Sequence, residues 1–186
     1  AWKEAVHFAL TSEDVNNLAY ALMLREARDL VMLPALNDLG AQLHSLALEQ
    51  AATPMLAHTH GQPATPTTLG KELAVFVARL RRAHAIVAQV QLTGKLNGAT
   101  GTLAAHAAAL PNVDWLAFSR AFVRFLDLEP VLLTTQIEPH DTIAELCDAL
   151  KRTNTILIDL CQDVWRYISA GYLVQAPKAN EVGSST

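Results

Sequence analysis

Thr11-Ser12-Glu13-Asp14-Val15-Asn16-Asn17-Leu18-Ala19-Tyr20-Ala21-Leu22 opens the longest periodic stretch of the 186-residue chain. Thr11 or Ser12 suits a helix cap, and Glu13 and Asp14 place negative charge in the first turn, where unpaired amides favour it. Apolar residues then recur at Val15, Leu18, Ala19, Leu22, Leu30, Leu33, Leu36, Leu43, Leu46 and Ala47. That spacing is one helical face held over about ten turns. Pro34 removes a backbone donor, yet the stripe resumes in phase beyond it, which predicts a bend and not an end.

The same periodicity returns twice. Leu73, Phe76, Val77, Leu80, Ile86, Val87 and Val90 mark a second long helix from 69 to about 93, its arginines on a solvated face. Leu146, Leu150, Leu157, Leu160, Val164, Trp165 and Ile168 mark a third, starting at Asp141 or Thr142 and running to Gly171. Between them, residues 103–110 and a segment capped by Asp114 read as shorter helices, the latter with Trp115, Phe118, Phe122, Val123 and Leu126 on its buried side. Residues 129–140 read as an extended connection. The expected fold is all-α, an elongated bundle of long antiparallel helices in one domain spanning 1–186. Its stripes are longer than one small bundle needs, so self-association is expected.

Composition agrees and excludes several functions. Hydrophobic residues make up 51% and aromatics 6% of the chain, and the apolar share is mostly Ala and Leu, which favours helix over sheet. A net charge of −4 argues against a nucleic-acid partner while leaving room for a local basic pocket around a small phosphate. Residues 96–113, a long run free of charged side chains, contain Gly, Asn, His and Pro and suit no bilayer. Cys147 and Cys161 fall in one predicted helix roughly 21 Å apart, too far to bridge. Free thiols fit a reducing compartment, so the cytoplasm is expected. The ends, Ala1 and Ser184-Ser185-Thr186, read as those of a piece of a longer protein, so the lack of a visible signal peptide is uninformative.

Chemistry concentrates in Thr59-His60-Gly61-Gln62-Pro63-Ala64-Thr65-Pro66-Thr67-Thr68-Leu69-Gly70. Pro63 and Pro66 restrict the backbone, and Thr67 or Thr68 can cap the helix at Leu69. A helix N-terminus beside the His60 imidazole would suit an anionic ligand and a proton transfer. His58 and His60 could begin a metal site, but no third ligand stands near them in sequence, so no metal is expected. His140-Asp141 is either an acid/base pair or a helix cap. Gly94 to Gly101 holds three glycines but lacks the Gly-Lys-Ser/Thr ending of a phosphate loop and reads as a turn. Ser184 lies in no Gly-X-Ser-X-Gly elbow.

Four stretches, in order, resemble the motifs of the adenylosuccinate lyases, a family of the fumarase and aspartase superfamily. They are residues 11–17, the run His58 to Thr68, Thr134-Thr135-Gln136-Ile137-Glu138-Pro139-His140-Asp141, and Val182-Gly183-Ser184-Ser185-Thr186. The resemblance covers essentially the whole chain and implies the family's central helical domain, with the N-terminal and C-terminal domains lying elsewhere. It implies β-elimination of fumarate from adenylosuccinate, and from the succinyl imidazole-carboxamide precursor, in purine synthesis. It implies no cofactor and no metal. His60 resembles the general acid and Ser184 the general base; Thr11, Ser12, Thr59, Gln136 and Ser185 resemble substrate-binding positions. Family members are homotetramers whose active sites draw on several subunits. Three residues depart from the family pattern: His58 in place of arginine, Asn180 in place of glycine and Thr100 in place of an aliphatic residue. The family's Met-Pro-His-Lys-Val-Asn-Pro continuation is not within residues 1–186, so this segment alone is expected to be inactive. Two other readings stand beside this one: a related fumarate-forming lyase acting on argininosuccinate, malate or aspartate, and a non-catalytic helical oligomerisation protein.

Overall fold

A computed structural model describes residues 3–176 and residue 180. The chain is predominantly helical and divides into two compact units, one of residues 1–38 and 82–151, the other of residues 39–81 and 152–186.

In the first unit a 3-10 turn, Lys3–His7, precedes α1, Ser12–Ala27. The expected bend at Pro34 takes a specific form. A π-helical turn, Arg28–Met32, sits just before α2, Leu33–Glu49, and the amide of Leu33 donates to the carbonyl of Arg28. Widening the ladder by one residue absorbs the proline without ending the helix. The second long helix, α3, is Leu69–Gln89 and stops short of the expected 93. Beyond it the chain straightens, because the Arg28 guanidinium takes the carbonyl of Val90 and β3, Thr93–Gly94, pairs in parallel with β4, Glu129–Pro130.

Two short helices complete this unit, α4 at Ala104–Ala109 and α5 at Trp115–Phe125. Asp114 caps α5, its carboxylate accepting from the amide of Ala117 at 2.9 Å. The expected buried face of α5 is corrected in part. Val123 is fully buried together with Ser119, whereas Phe118 and Phe122 are 49% and 36% exposed and stacked, ring centroids 6.3 Å apart. The core position is filled instead by Leu18, Ala21, Val87, Val90, Leu92, Leu96, Leu128 and Leu146, which close around Val123. Each such aliphatic burial contributes about 1.5–3 kcal/mol. The last helix, α6, runs Asp141–Ser169 and passes from the first unit into the second.

The second unit contains a feature absent from the helical expectation. β1, Pro54–Thr59, and β2, Gln62–Thr68, form an antiparallel hairpin, pairing Pro54 with Thr68 and Thr59 with Gln62. Prolines 63 and 66 are tolerated because a two-stranded ribbon has an edge on each side. The hairpin base is clamped: Leu69 and Gly70 donate their amides to the carbonyls of Thr53 and Gln50, each at 3.0 Å. Ala47, Met55, Leu69 and Leu73 form the small core beneath it, with Tyr167 and Tyr172 packed against them. On α6, Leu146 is buried, while Trp165 on the same stripe is 64% exposed and Ile158 beside it 61% among the described residues.

Candidate active site

His60 occupies the turn of the hairpin. His60 and Gly61 both adopt the left-handed conformation, φ 53° and 71°, as a two-residue turn between twisted strands requires. Glycine does this freely, but for histidine the conformation carries about 1–2 kcal/mol of strain. Both Thr59 and His60 are exposed. The expected helix N-terminus beside the imidazole is not there. The seven residues of β2 separate His60 from Leu69, about 20 Å at strand rise. The first amides of α3 are also occupied: Leu69 and Gly70 bond back to the end of α2, and Lys71 donates to the Thr68 hydroxyl at 3.2 Å. Thr68 is thus the cap that the sequence foretold, but it serves the hairpin base and not an anion at His60.

His58 faces elsewhere. Its ring meets Tyr172 edge-on at 6.2 Å, and it lines a cavity of about 340 Å³ with Thr67, Glu72, Arg166 and Tyr167. Burial, with the Asp163 and Glu72 carboxylates near, pushes the Tyr167 phenol up to about 12, so it stays protonated at neutral pH. No cluster of three or more metal-ligating side chains occurs among the described residues.

In the first unit the structure joins two motifs that lie far apart in sequence. The Gln136 side-chain amide donates to the Thr11 hydroxyl at 3.1 Å. Ser12 is exposed beside them at the start of α1. Beneath lies an ion pair that sequence reading missed, Asp14 with Lys95 at 3.1 Å, both side chains fully buried. The Asp14 carboxylate also accepts from the amides of Thr11 (3.0 Å), Asn97 (3.1 Å) and Gly98 (3.2 Å). Lys95 donates its second bond to the Gly98 carbonyl at 3.0 Å, and Asn17 grips the Lys95 backbone at both its amide and its carbonyl. Burying two charges is tolerable only when their partners are this complete, and removing one of them costs about 3–5 kcal/mol. One signal was available: Lys95 is the sole charged residue in the glycine-rich turn, a place where a solvated lysine needs no glycines to pack against.

His106 is a second omission. It lies 3% exposed against Gly98, stacks edge-on with Trp115 at 5.0 Å, and its Nδ1 has no partner among the described residues. Burial holds its pKa below the ordinary 6.5 while the Asp14 charge pulls the other way. At the start of α6, His140 and Asp141 do not form an acid/base pair with each other. Glu138 instead accepts from the His140 amide at 2.6 Å and the Thr93 hydroxyl at 2.8 Å. Arg25, Arg28 and Arg124 line a further cavity of about 450 Å³. They face Asp127, Asp29 and Glu129 at 3.5, 2.6 and 4.0 Å, which makes it charge-balanced and not a basic phosphate pocket. Ser184 and Ser185 lie outside the described residues, and Thr59 and His60 belong to a different unit from Thr11, Ser12 and Gln136.

Comparison with known proteins places this arrangement. A family model described as lyase matches residues 1–186. The chain belongs to this lyase family. Adenylosuccinate lyase of Escherichia coli (strain K12) is 51% identical over 186 residues, 100% of this chain and 41% of that protein. The enzyme of the same name from Dictyostelium discoideum is 49% identical over 187 residues, covering 98% of this chain and 40% of its own length. The chain therefore spans about two-fifths of the curated relatives it matches. Among solved structures, a fumarate lyase from Mesorhizobium sp. BNC1 superposes with a TM-score of 0.77 at 27% identity, over 87% of this chain and 37% of that one. A 3-carboxy-cis,cis-muconate lactonizing enzyme from Pseudomonas putida gives 0.73 at 28% identity, over 84% and 35%. The all-helical expectation and the lyase resemblance both agree with these matches.

Proposed function

We propose that residues 1–186 are the central helical domain of an adenylosuccinate lyase. It would cleave adenylosuccinate to AMP and fumarate, and the succinyl imidazole-carboxamide precursor to its own amide and fumarate. The observation that carries this reading is 51% identity to the Escherichia coli adenylosuccinate lyase over all 186 residues, an alignment that includes every motif stretch.

In this reading Ser184, as an alkoxide, removes a proton from the carbon next to a substrate carboxylate. The C–H electron pair moves first into that carboxylate and then forms the new double bond as the C–N bond breaks. The nitrogen takes the C–N pair and gains a proton from His60, without which it departs poorly. Donors at Thr11, Ser12, Thr59, Gln136 and Ser185 hold the fumaryl group and the nucleotide and stabilise the doubly charged carboxylate. The exposure of His60 at a hairpin tip supports an assembled site, since such charge development needs water excluded. Other subunits of a homotetramer and the remaining domains would supply the walls. The same assembly would cover Trp165 and Ile158 on α6. The protein would act in the cytoplasm; among the described residues no helix is long and apolar enough to cross a membrane. Residues 1–186 alone would not turn over.

The test is fumarate release from adenylosuccinate by the full-length protein and its His60→Gln variant. Turnover that falls by about 10² or more in the variant is the expected result. A folded oligomer without turnover in either form overturns the assignment.

A further inference from the structure

We infer that the buried Asp14–Lys95 pair is the positioning element for the Thr11–Gln136 part of the active site, which it holds through Asn97 and Thr134. This rests on the lyase reading for its substrate and adds residues to which no role in the reaction had been given.

Three segments meet at this pair. Asp14 fixes the first by accepting from the Thr11 amide at 3.0 Å, which sets the backbone of the residue whose hydroxyl receives Gln136. It fixes the second by accepting from the amides of Asn97 and Gly98, while Lys95 closes the same turn through the Gly98 carbonyl. That turn holds the third: the Asn97 side chain donates to the Thr134 hydroxyl at 2.7 Å, two residues before Gln136. Gly101 brings the backbones together, since a Cβ there would lie 2.0 Å from the Thr134 carbonyl oxygen. Thr11 and Gln136 thus meet because each is tied separately to one carboxylate and the turn it organises.

The charges matter as well as the geometry. Asp14 sits in the first turn of α1, next to Thr11 and Ser12, where an anionic substrate would be held. An uncompensated carboxylate there would repel it, and Lys95, with no exposed surface, cancels that charge at a distance solvent cannot screen. The pair therefore organises the anion-facing end of α1 without lending it negative charge.

The experiment measures KM and kcat for adenylosuccinate with the full-length protein and four variants: Thr134→Val, Asp14→Asn, Lys95→Met, and the double variant Asp14→Asn/Lys95→Met. Melting temperature and oligomeric state are recorded for each. Thr134→Val removes the hydroxyl's link to Asn97 and its exposed bond to the Thr135 carbonyl and leaves the apolar core alone, so KM should rise about 3–10-fold, the value of one hydrogen bond, with the melting temperature within about 2 °C. Lys95→Met should raise KM about tenfold or more, and the double variant should recover only part of this, because it removes the stranded charge but its side-chain amide cannot accept from all the backbone amides that both carboxylate oxygens hold. A merely structural role predicts the opposite split: lowered melting temperatures, with KM and kcat of the folded fraction within twofold of wild type in Thr134→Val and in every variant that folds. That result overturns the proposal and leaves the lyase assignment standing. Wild-type protein without turnover removes the assignment, and this proposal with it.

Discussion

Burial leaves His106 neutral where six other histidines meet water more readily, and the consequence is a pH dependence. Its folded pKa is lowered, first by desolvation, while in the unfolded chain it titrates near its ordinary 6.5. The unfolded state therefore binds the extra proton first as pH falls. Stability is full above about pH 6.5 and declines below it, down to the folded pKa, after which this contribution is constant. Urea midpoints between pH 7.5 and 5 should fall more steeply for wild type than for His106→Gln; equal slopes would show that His106 titrates alike in both states. His106, with little sequence context, could not have been singled out, because its burial is created by Gly98 and Trp115 from separate segments. His60 was legible for the opposite reason: its neighbours along the chain carry the motif. Its place in a left-handed turn, separated by β2 from the start of α3, was not.

At the level of elements, the junction of α2, the hairpin and α3 hinges on Gly70. A Cβ there would stand 2.3 Å from the Ala47 carbonyl oxygen and 2.7 Å from the Ala51 backbone, so the contact is with backbone and no side chain can swing away. Gly70→Ala should destabilise by about 1–3 kcal/mol or more, as overpacking does, seen as a lowered denaturant midpoint. An unchanged midpoint would mean that the helices can part at this point without cost. Periodicity found α1, α2, α3 and α6 with their approximate ends, because a buried stripe repeats every 3.6 residues whatever it packs against. It missed the hairpin, since residues 54–68 contain three prolines and little alternation, and what pairs β1 with β2 is a turn conformation with no apolar pattern behind it.

At the scale of the whole molecule, large apolar side chains stand in solvent among the described residues. Trp165, 64% exposed among the described residues, stands at the open end of the α6 stripe. If a homotetramer covers it, Trp165→Glu in the full-length protein should shift the assembly toward smaller species in sedimentation velocity and lower activity with it, because a buried unpaired carboxylate costs several kcal/mol. A variant that stays assembled and active would show that Trp165 lies outside any interface. The amino-acid sequence by itself determined the helical class, the long helices and the four motif stretches, because those depend on local periodicity, capping and residue identity. Only the tertiary structure decided that Gln136 meets Thr11, that Asp14 and Lys95 are a buried pair beneath them, and that His60 stands on a hairpin turn. Those facts depend on which distant segments share a dielectric and a hydrogen bond, and no spacing along one segment encodes that.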